Sequence, residues 1–207
     1  ISRENYKETI WPLPARDLVE IRAYRAGPQH YRQVPHTSMM AARGCPYACT
    51  FCSSRALWGR QYRVRSVPSV MREIDHLQAA YGIRDLCFWD DLWGLRPEWV
   101  EEFCAAVRGR GLTWSCEARV DTLTEPLLRL MAAAGCFCVF FGFESLDPNR
   151  LRDLRKGTTP EQIEQVSRWC AACGIEVRAN FMLGLPGETP AAVEREFARI
   201  CRLNFDF

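Results

Sequence analysis

A chain of 207 residues, 48% hydrophobic and 25% charged, is long enough for one large domain with a real core. Its net charge of +2 gives no electrostatic case for nucleic acid or a membrane surface as partner. No apolar run reaches the ~18 residues of a transmembrane helix, and the polar start ISRENYKE does not read as a signal peptide.

Eleven cysteines in an odd, irregular set without a secretory signal predict a reducing cytoplasm rather than a disulfide scaffold. Most of them, including Cys87, Cys104, Cys136, Cys138 and Cys201, sit in apolar patterns and read as small buried hydrophobes. The chain starts without Met and ends on what reads as the beginning of a strand, so it is expected to be an internal piece of a longer protein.

Residues 1–35 carry four prolines and weak periodicity, and read as a lead-in or linker with one short helical turn over 16–24. WPLP suits an extended segment docked on the domain. Residues 36–42 read as a first strand that runs into Gly44 and a cysteine-rich loop continuing to Arg65. The spacing of Val67, Val70, Met71, Ile74, Leu77 and Tyr81 predicts a helix over 66–81, with Ser66 as N-cap and Gly82 as stop. A strand over 84–89 ends at Asp90 and Asp91. A helix over 97–108, a strand over 112–118 and a helix over 124–134 follow. Residues 136–143 are nearly all apolar, as in a strand buried on both faces, and lead to Glu144 and Ser145. Thr159, Pro160 and Gln162 have capping-box spacing for a helix over 159–173. A strand over 175–183 runs into Gly184-Leu185-Pro186-Gly187-Glu188. A helix over 190–202 and a strand from 204 onward close the chain.

Strand and helix therefore alternate about five times, with a sixth strand begun. The pattern predicts an α/β fold with a parallel sheet and outer helices. A closed eight-unit barrel takes ~250 residues, so the expectation is a partial TIM barrel of (β/α)6 type, incomplete at the C-terminus, with residues 36–207 as its core. Chemistry in such folds sits at the carboxyl ends of the strands. The polar and glycine-rich motifs fall there repeatedly: the cysteine loop, Asp90 and Asp91, Glu117 and Arg119, Glu144 and Ser145, and the Gly184 turn.

The loop RGCPYACTFCSS holds Cys45, Cys49 and Cys52 at C-x3-C-x2-C spacing. Three thiolates can hold three irons of a cubane cluster whose full set is four. The fourth iron keeps an open position for a substrate or cofactor. Cys170 and Cys173 form a second C-x2-C at a helix end, but with no second pair nearby a zinc or second-cluster site there would lack ligands. The three histidines, His30, His36 and His76, are isolated and receive no role.

With Phe51 before its last cysteine, the loop matches C-x3-C-x-aromatic-C. YRVRSVPSVMREIDHL, FWDDLW, SCEARVD, FGFES and NFMLGLPGET follow in order. This set resembles the radical S-adenosylmethionine (SAM) superfamily, and within it the cobalamin-binding branch. The resemblance implies a 4Fe–4S cluster on the three cysteines and SAM chelated at the open iron. One-electron cleavage then yields methionine and a 5′-deoxyadenosyl radical. It also implies cobalamin held mainly by a domain outside this chain, a small-molecule substrate, and a reductant such as flavodoxin or ferredoxin. The leading activity is methyl transfer to an unactivated carbon. A non-methylating cyclase or rearrangement of the same branch, a methylthiotransferase, and a plain electron-transfer protein are the alternatives. A zinc-binding module would want a fourth ligand at finger-like spacing.

Roles follow residue by residue. The resemblance puts Phe51, and the turn at Gly184 and Leu185, against the adenine. Asp90 or Asp91, one of the two, or the backbone carbonyls there, meets the SAM amino group. Asp91 could instead cap a helix. Glu144 after an apolar strand needs a partner, for which a ribose hydroxyl or an ammonium is suitable. Glu117 and Arg119 share a strand face and are read either as cofactor contacts or as a plain ion pair. Arg178 is read as holding the methionine carboxylate, or as pairing with Glu117 or Glu144.

Overall fold

The computed structural model describes residues 12–24, 27 and 30–203. Five parallel strands form one sheet, and two short strands form an antiparallel pair beside it. The elements in chain order are β1 (His36–Met39), β2 (Ala42–Arg43), α1 (Ser54–Trp58), β3 (Arg63–Val64), α2 (Val67–Tyr81), β4 (Asp85–Phe88) and α3 (Pro97–Val107). There follow β5 (Thr113–Ala118), α4 (Glu125–Ala133), β6 (Cys136–Glu144), α5 (Pro148–Asp153), α6 (Pro160–Cys173), β7 (Glu176–Phe181) and α7 (Pro190–Ile200). The sheet order is β1-β4-β5-β6-β7, so the described sheet is an open part of a barrel rather than a closed one. Among the described residues no helix is long and apolar enough to cross a membrane.

Local chemistry accounts for most boundaries. Ser66 caps α2 through its side chain, and Gly82 ends it in the left-handed region. Thr159 and Gln162 form the full capping box of α6, with Pro160 at its first turn. The outer face of the sheet supplies Leu86, Phe88, Trp114, Cys116, Val139 and Phe141 to the core, against Ile74, Phe103, Leu128 and Val166 of the helices. Phe88, Trp93, Phe103 and Trp114 pack edge-on or tilted, with centroids 5.0–6.0 Å apart. The opposite, concave face carries the side chains left by alternation. Register places Glu117, Phe140 and Arg178 on one level of it.

Several expectations are corrected. The first strand stops at Met39 instead of reaching Ala42, because Asp90 takes the backbone N–H groups of Ala41 and Ala42. The stretch expected as loop up to Arg65 contains α1 and β3, and α5 was not foreseen. The helical turn expected over 16–24 is two separate 3-10 turns, Arg16–Leu18 and Ile21–Ala23. Cys201 is exposed, whereas Cys87, Cys104, Cys136 and Cys138 are buried. Trp11 of the WPLP segment and the strand expected from residue 204 lie outside the described residues.

The described part of the lead-in is packed on the domain. Arg16 donates to Glu73 at 2.6 Å and to the Ser38 carbonyl at 2.9 Å. The Asp85 carboxylate, at the amino end of β4, accepts from the Arg32 N–H at 2.9 Å. His30, assigned no role above, stacks on Phe140 with centroids 5.6 Å apart, and so lies against the concave face.

Candidate active site

The cysteine loop leaves β2 at Gly44, whose φ is +82°. A Cβ here would lie 2.2 Å from the backbone oxygen of Gln61, so only glycine fits. Asp91 accepts from the Gly44 N–H at 2.9 Å, and Asp90 accepts from Ala41 at 2.8 Å and Ala42 at 3.0 Å. The paired aspartates at the end of β4 thus clamp the backbone that delivers Cys45. Both carboxylates are directed at the loop, and Asp91 does not cap α3, whose N-cap is Arg96. Asp90 is 1% exposed, and burial pushes its carboxyl up to about 7 despite the two N–H donors. Further along the loop, the Thr50 N–H donates to the Leu154 carbonyl at 3.0 Å, and Arg60 donates twice to the Pro46 carbonyl.

All three loop cysteines are free thiols; Cys52 is exposed, and Cys45 and Cys49 are half-buried. Burial raises the Cys45 pKa most; Arg119 opposes this, while Cys49 and Cys52 add to it as like-charged neighbours. The three sulfurs therefore share one electrostatic environment. Among the described residues no three His, Cys, Asp or Glu side chains converge on a single ion-sized point. A cubane asks for a wider triangle, one thiolate on each of three irons, and three free thiols on one clamped loop fit that donor set.

Arg119, the first residue beyond β5, meets the loop from the other side. Its Nε and Nη2 donate to the two oxygens of Asp121 at 2.9 and 2.8 Å. Nη2 also donates to the Lys156 carbonyl at 2.6 Å, and Nη1 points at the Cys49 sulfur at 3.7 Å. The guanidinium lies 3.6 Å over the Tyr47 ring. The expected Glu117–Arg119 ion pair is therefore replaced by Arg119–Asp121. Glu117 remains on the concave face, with its pKa raised by burial and then by Asp91. Arg178 pairs with neither Glu117 nor Glu144. It donates to Glu176 at 3.2 Å and lies 5.9 Å over Phe140, and its buried Nε has no hydrogen-bond partner among the described residues.

Glu144 has its φ at +66° and follows an irregularity in the β6–β7 register. A non-glycine residue held there is a strained position of the kind that clusters at functional sites. Its carboxylate meets Lys156 at 3.0 Å, and Lys156 in turn lies 5.8 Å over the Phe51 ring, which is 39% exposed. The next residue, Ser145, is fully buried. Its hydroxyl donates to Glu196 at 2.6 Å and accepts from the Asp147 N–H at 3.0 Å. Glu196 pairs with Arg150 at 3.0 Å, and Arg150 also pairs with Glu188. Glu188 closes the glycine turn by accepting from the N–H groups of Gly184 and, at 3.0 Å, Leu185.

The fold thus brings the cysteine loop, Phe51, Asp90, Asp91, Arg119 and Glu144 into one connected cluster. Ser145, Gly184 and Leu185 belong to a neighbouring network, and Glu117 and Arg178 share a level on the concave face. Sequence reading missed Tyr47, Lys156, Arg150 and Glu196, which act through long-range contacts. Asp121 and Glu188 were noted at strand ends but given no role, although the Arg-x-Asp spacing and the reach from Gly184 to Glu188 are local signals.

A parallel part-barrel with a three-thiol loop at the carboxyl ends of its strands defines the core of an iron–sulfur enzyme. The Radical SAM superfamily model matches residues 39–200, and this chain belongs to that superfamily, whose members use a 4Fe–4S cluster and SAM. It is 32% identical over 198 residues to an uncharacterized methyltransferase, PH0819, of Pyrococcus horikoshii, covering 95% of this chain and 42% of that protein. It is 30% identical over 177 residues to the anaerobic magnesium-protoporphyrin IX monomethyl ester cyclase of Rubrivivax gelatinosus, covering 82% and 32%. The radical SAM methyltransferase TsrM of Kitasatospora setae, solved with tryptophan substrate and a SAM analog, superposes with a TM-score of 0.75 at 27% identity. That match covers 82% of this chain and 34% of TsrM, which has also been solved with cobalamin and a [4Fe-4S] cluster bound. The chain spans less than half the length of these relatives.

Proposed function

We propose that this chain is the radical-generating core of a cobalamin-dependent radical SAM methyltransferase acting on a small molecule. The observation that carries the reading is the cysteine loop itself. Three free thiols are delivered by a backbone clamped at Ala41, Ala42 and Gly44, in a chain related to methyltransferases. When bound, the cluster and SAM supply a 5′-deoxyadenosyl radical by one-electron cleavage, and cobalamin supplies the methyl group.

The chain's own residues hold, orient and exclude water. Cys45, Cys49 and Cys52 hold three irons. Phe51 and the turn at Gly184 and Leu185 receive the adenine, and Glu188 fixes that turn. Asp90 and Asp91 are committed to the loop, so the backbone carbonyls of that turn meet the SAM amino group. Glu144 receives a ribose hydroxyl while keeping Lys156, and the Nε of Arg178, without a hydrogen-bond partner among the described residues, suits a carboxylate. The reading places the protein in a reducing cytoplasm, supported by eleven free cysteines, with flavodoxin or ferredoxin as electron donor.

A second reading, ring formation without methylation, is favoured by the similarity to the Rubrivivax cyclase. Product analysis separates the two. The full-length protein, which on this reading carries the cobalamin-binding domain beside this core, is reconstituted and incubated with SAM, reductant and cobalamin. Cobalamin-dependent S-adenosylhomocysteine together with 5′-deoxyadenosine supports methyl transfer. Deoxyadenosine alone, whether or not cobalamin is added, selects the second reading, and neither product overturns both.

A further inference from the structure

Arg119 is held on every side before it reaches the loop. Asp121 takes the Nε/Nη2 edge of the guanidinium, the Lys156 carbonyl takes a further hydrogen of Nη2, and the Tyr47 ring covers one face. The side chain is 7% exposed. The remaining corner, Nη1, has the Cys49 sulfur at 3.7 Å. Lys156, whose carbonyl accepts from Arg119, has its own charge paired with Glu144 at 3.0 Å.

We propose that Arg119 is a positioning residue that sets the reduction potential of the cluster by donating an Nη1–H hydrogen bond to the Cys49 thiolate. The inference rests on reading the three cysteines as cluster ligands. Hydrogen bonds to ligand sulfurs and nearby charge are principal levers on such potentials. One electron passes from the reductant to the cluster. No bond forms or breaks, and Arg119 stays protonated in both states. A fixed cation favours the more negative, reduced state. Asp121 cancels part of that field, so removing each of the two charges has opposite sign.

The test is a redox titration, without SAM, of the anaerobically reconstituted protein, poised with dithionite and followed by electron paramagnetic resonance. Iron and sulfide are quantified for wild type, Arg119→Gln, Arg119→Lys and Asp121→Asn. Arg119→Gln should leave about tenfold less reduced cluster at a fixed potential, a downward shift of ~59 mV for a one-electron couple. Asp121→Asn should shift upward, and Arg119→Lys should lie nearer wild type. Unchanged potentials at full iron content, or shifts of the same sign for Arg119→Gln and Asp121→Asn, overturn the proposal. If Arg119→Gln loses iron, the sign of the Asp121→Asn shift decides: upward supports, absent or downward overturns. A wild-type protein that takes up no iron overturns the cluster reading itself, a different outcome from a wild-type cluster indifferent to both substitutions.

Discussion

Lys156→Met strands a buried charge. Lys156 and Glu144 are 8% and 9% exposed in their side chains and 3.0 Å apart. At an effective dielectric of about 20 their attraction is about 5–6 kcal/mol. Removing two ions from water costs several kcal/mol each, so the pair adds little over a neutral pair of the same shape. Deleting one partner is different. The Glu144 carboxylate keeps its burial and loses its compensation, at a cost of roughly 3–5 kcal/mol. For a domain of this size that lowers Tm by about 10 °C. Glu144→Gln in the same chain removes the stranded charge, and the double variant should recover about 2 kcal/mol relative to the sum of the singles. Urea unfolding of the four proteins under reducing conditions measures all of this. Strictly additive single variants would refute the claim that the pair is one energetic unit.

Three further outcomes follow from the loop and its supports. Gly44→Ala forces a φ of +82° on alanine and places its Cβ 2.2 Å from the Gln61 oxygen. It should cost more than the ~1–2 kcal/mol of the left-handed region alone and lower iron uptake on reconstitution; wild-type iron content would contradict the clamp. Asp90 titrates at about 7 against an ordinary 3.8. Its contribution to stability is therefore full below pH 3.8 and is lost as pH rises through 7, at up to about 1.4 kcal/mol per unit. Asp90→Asn should flatten that part of the profile of urea midpoint against pH, and an unchanged slope would count against the assignment. Arg150→Met leaves Glu188 and Glu196 without their shared cation. Faster amide exchange at Gly184 and Leu185 is expected, and protection as in wild type would show that the turn needs no such anchor.

The parts legible in the sequence are those with local causes. The caps of α2 and α6 and the apolar run of β6 are written within a few residues, and the three-cysteine spacing is equally local. Asp147-Pro148 carries the same cap-and-proline signature as Thr159-Pro160, so α5 could have been found; at six residues it shows no hydrophobic period. The overextended first strand has a cause about 50 residues away, in Asp90. The Glu117–Arg119 pairing failed because two-residue alternation holds only while the chain is extended. β5 ends at Ala118, and Arg119 turns toward Asp121 and the cysteine loop. The partners of Glu144 and Ser145 come from 12 and 51 residues away. No local pattern encodes such contacts.

The central claim is that Cys45, Cys49 and Cys52 hold a cluster whose open iron receives SAM. Electron paramagnetic resonance of the reconstituted, dithionite-reduced protein, recorded with and without SAM, tests it directly. The account predicts about four irons and four sulfides per chain, a reduced-cluster signal that changes on adding SAM, and loss of that response in Cys49→Ala. A signal that is the same with and without SAM, or a response that survives Cys49→Ala, would contradict it.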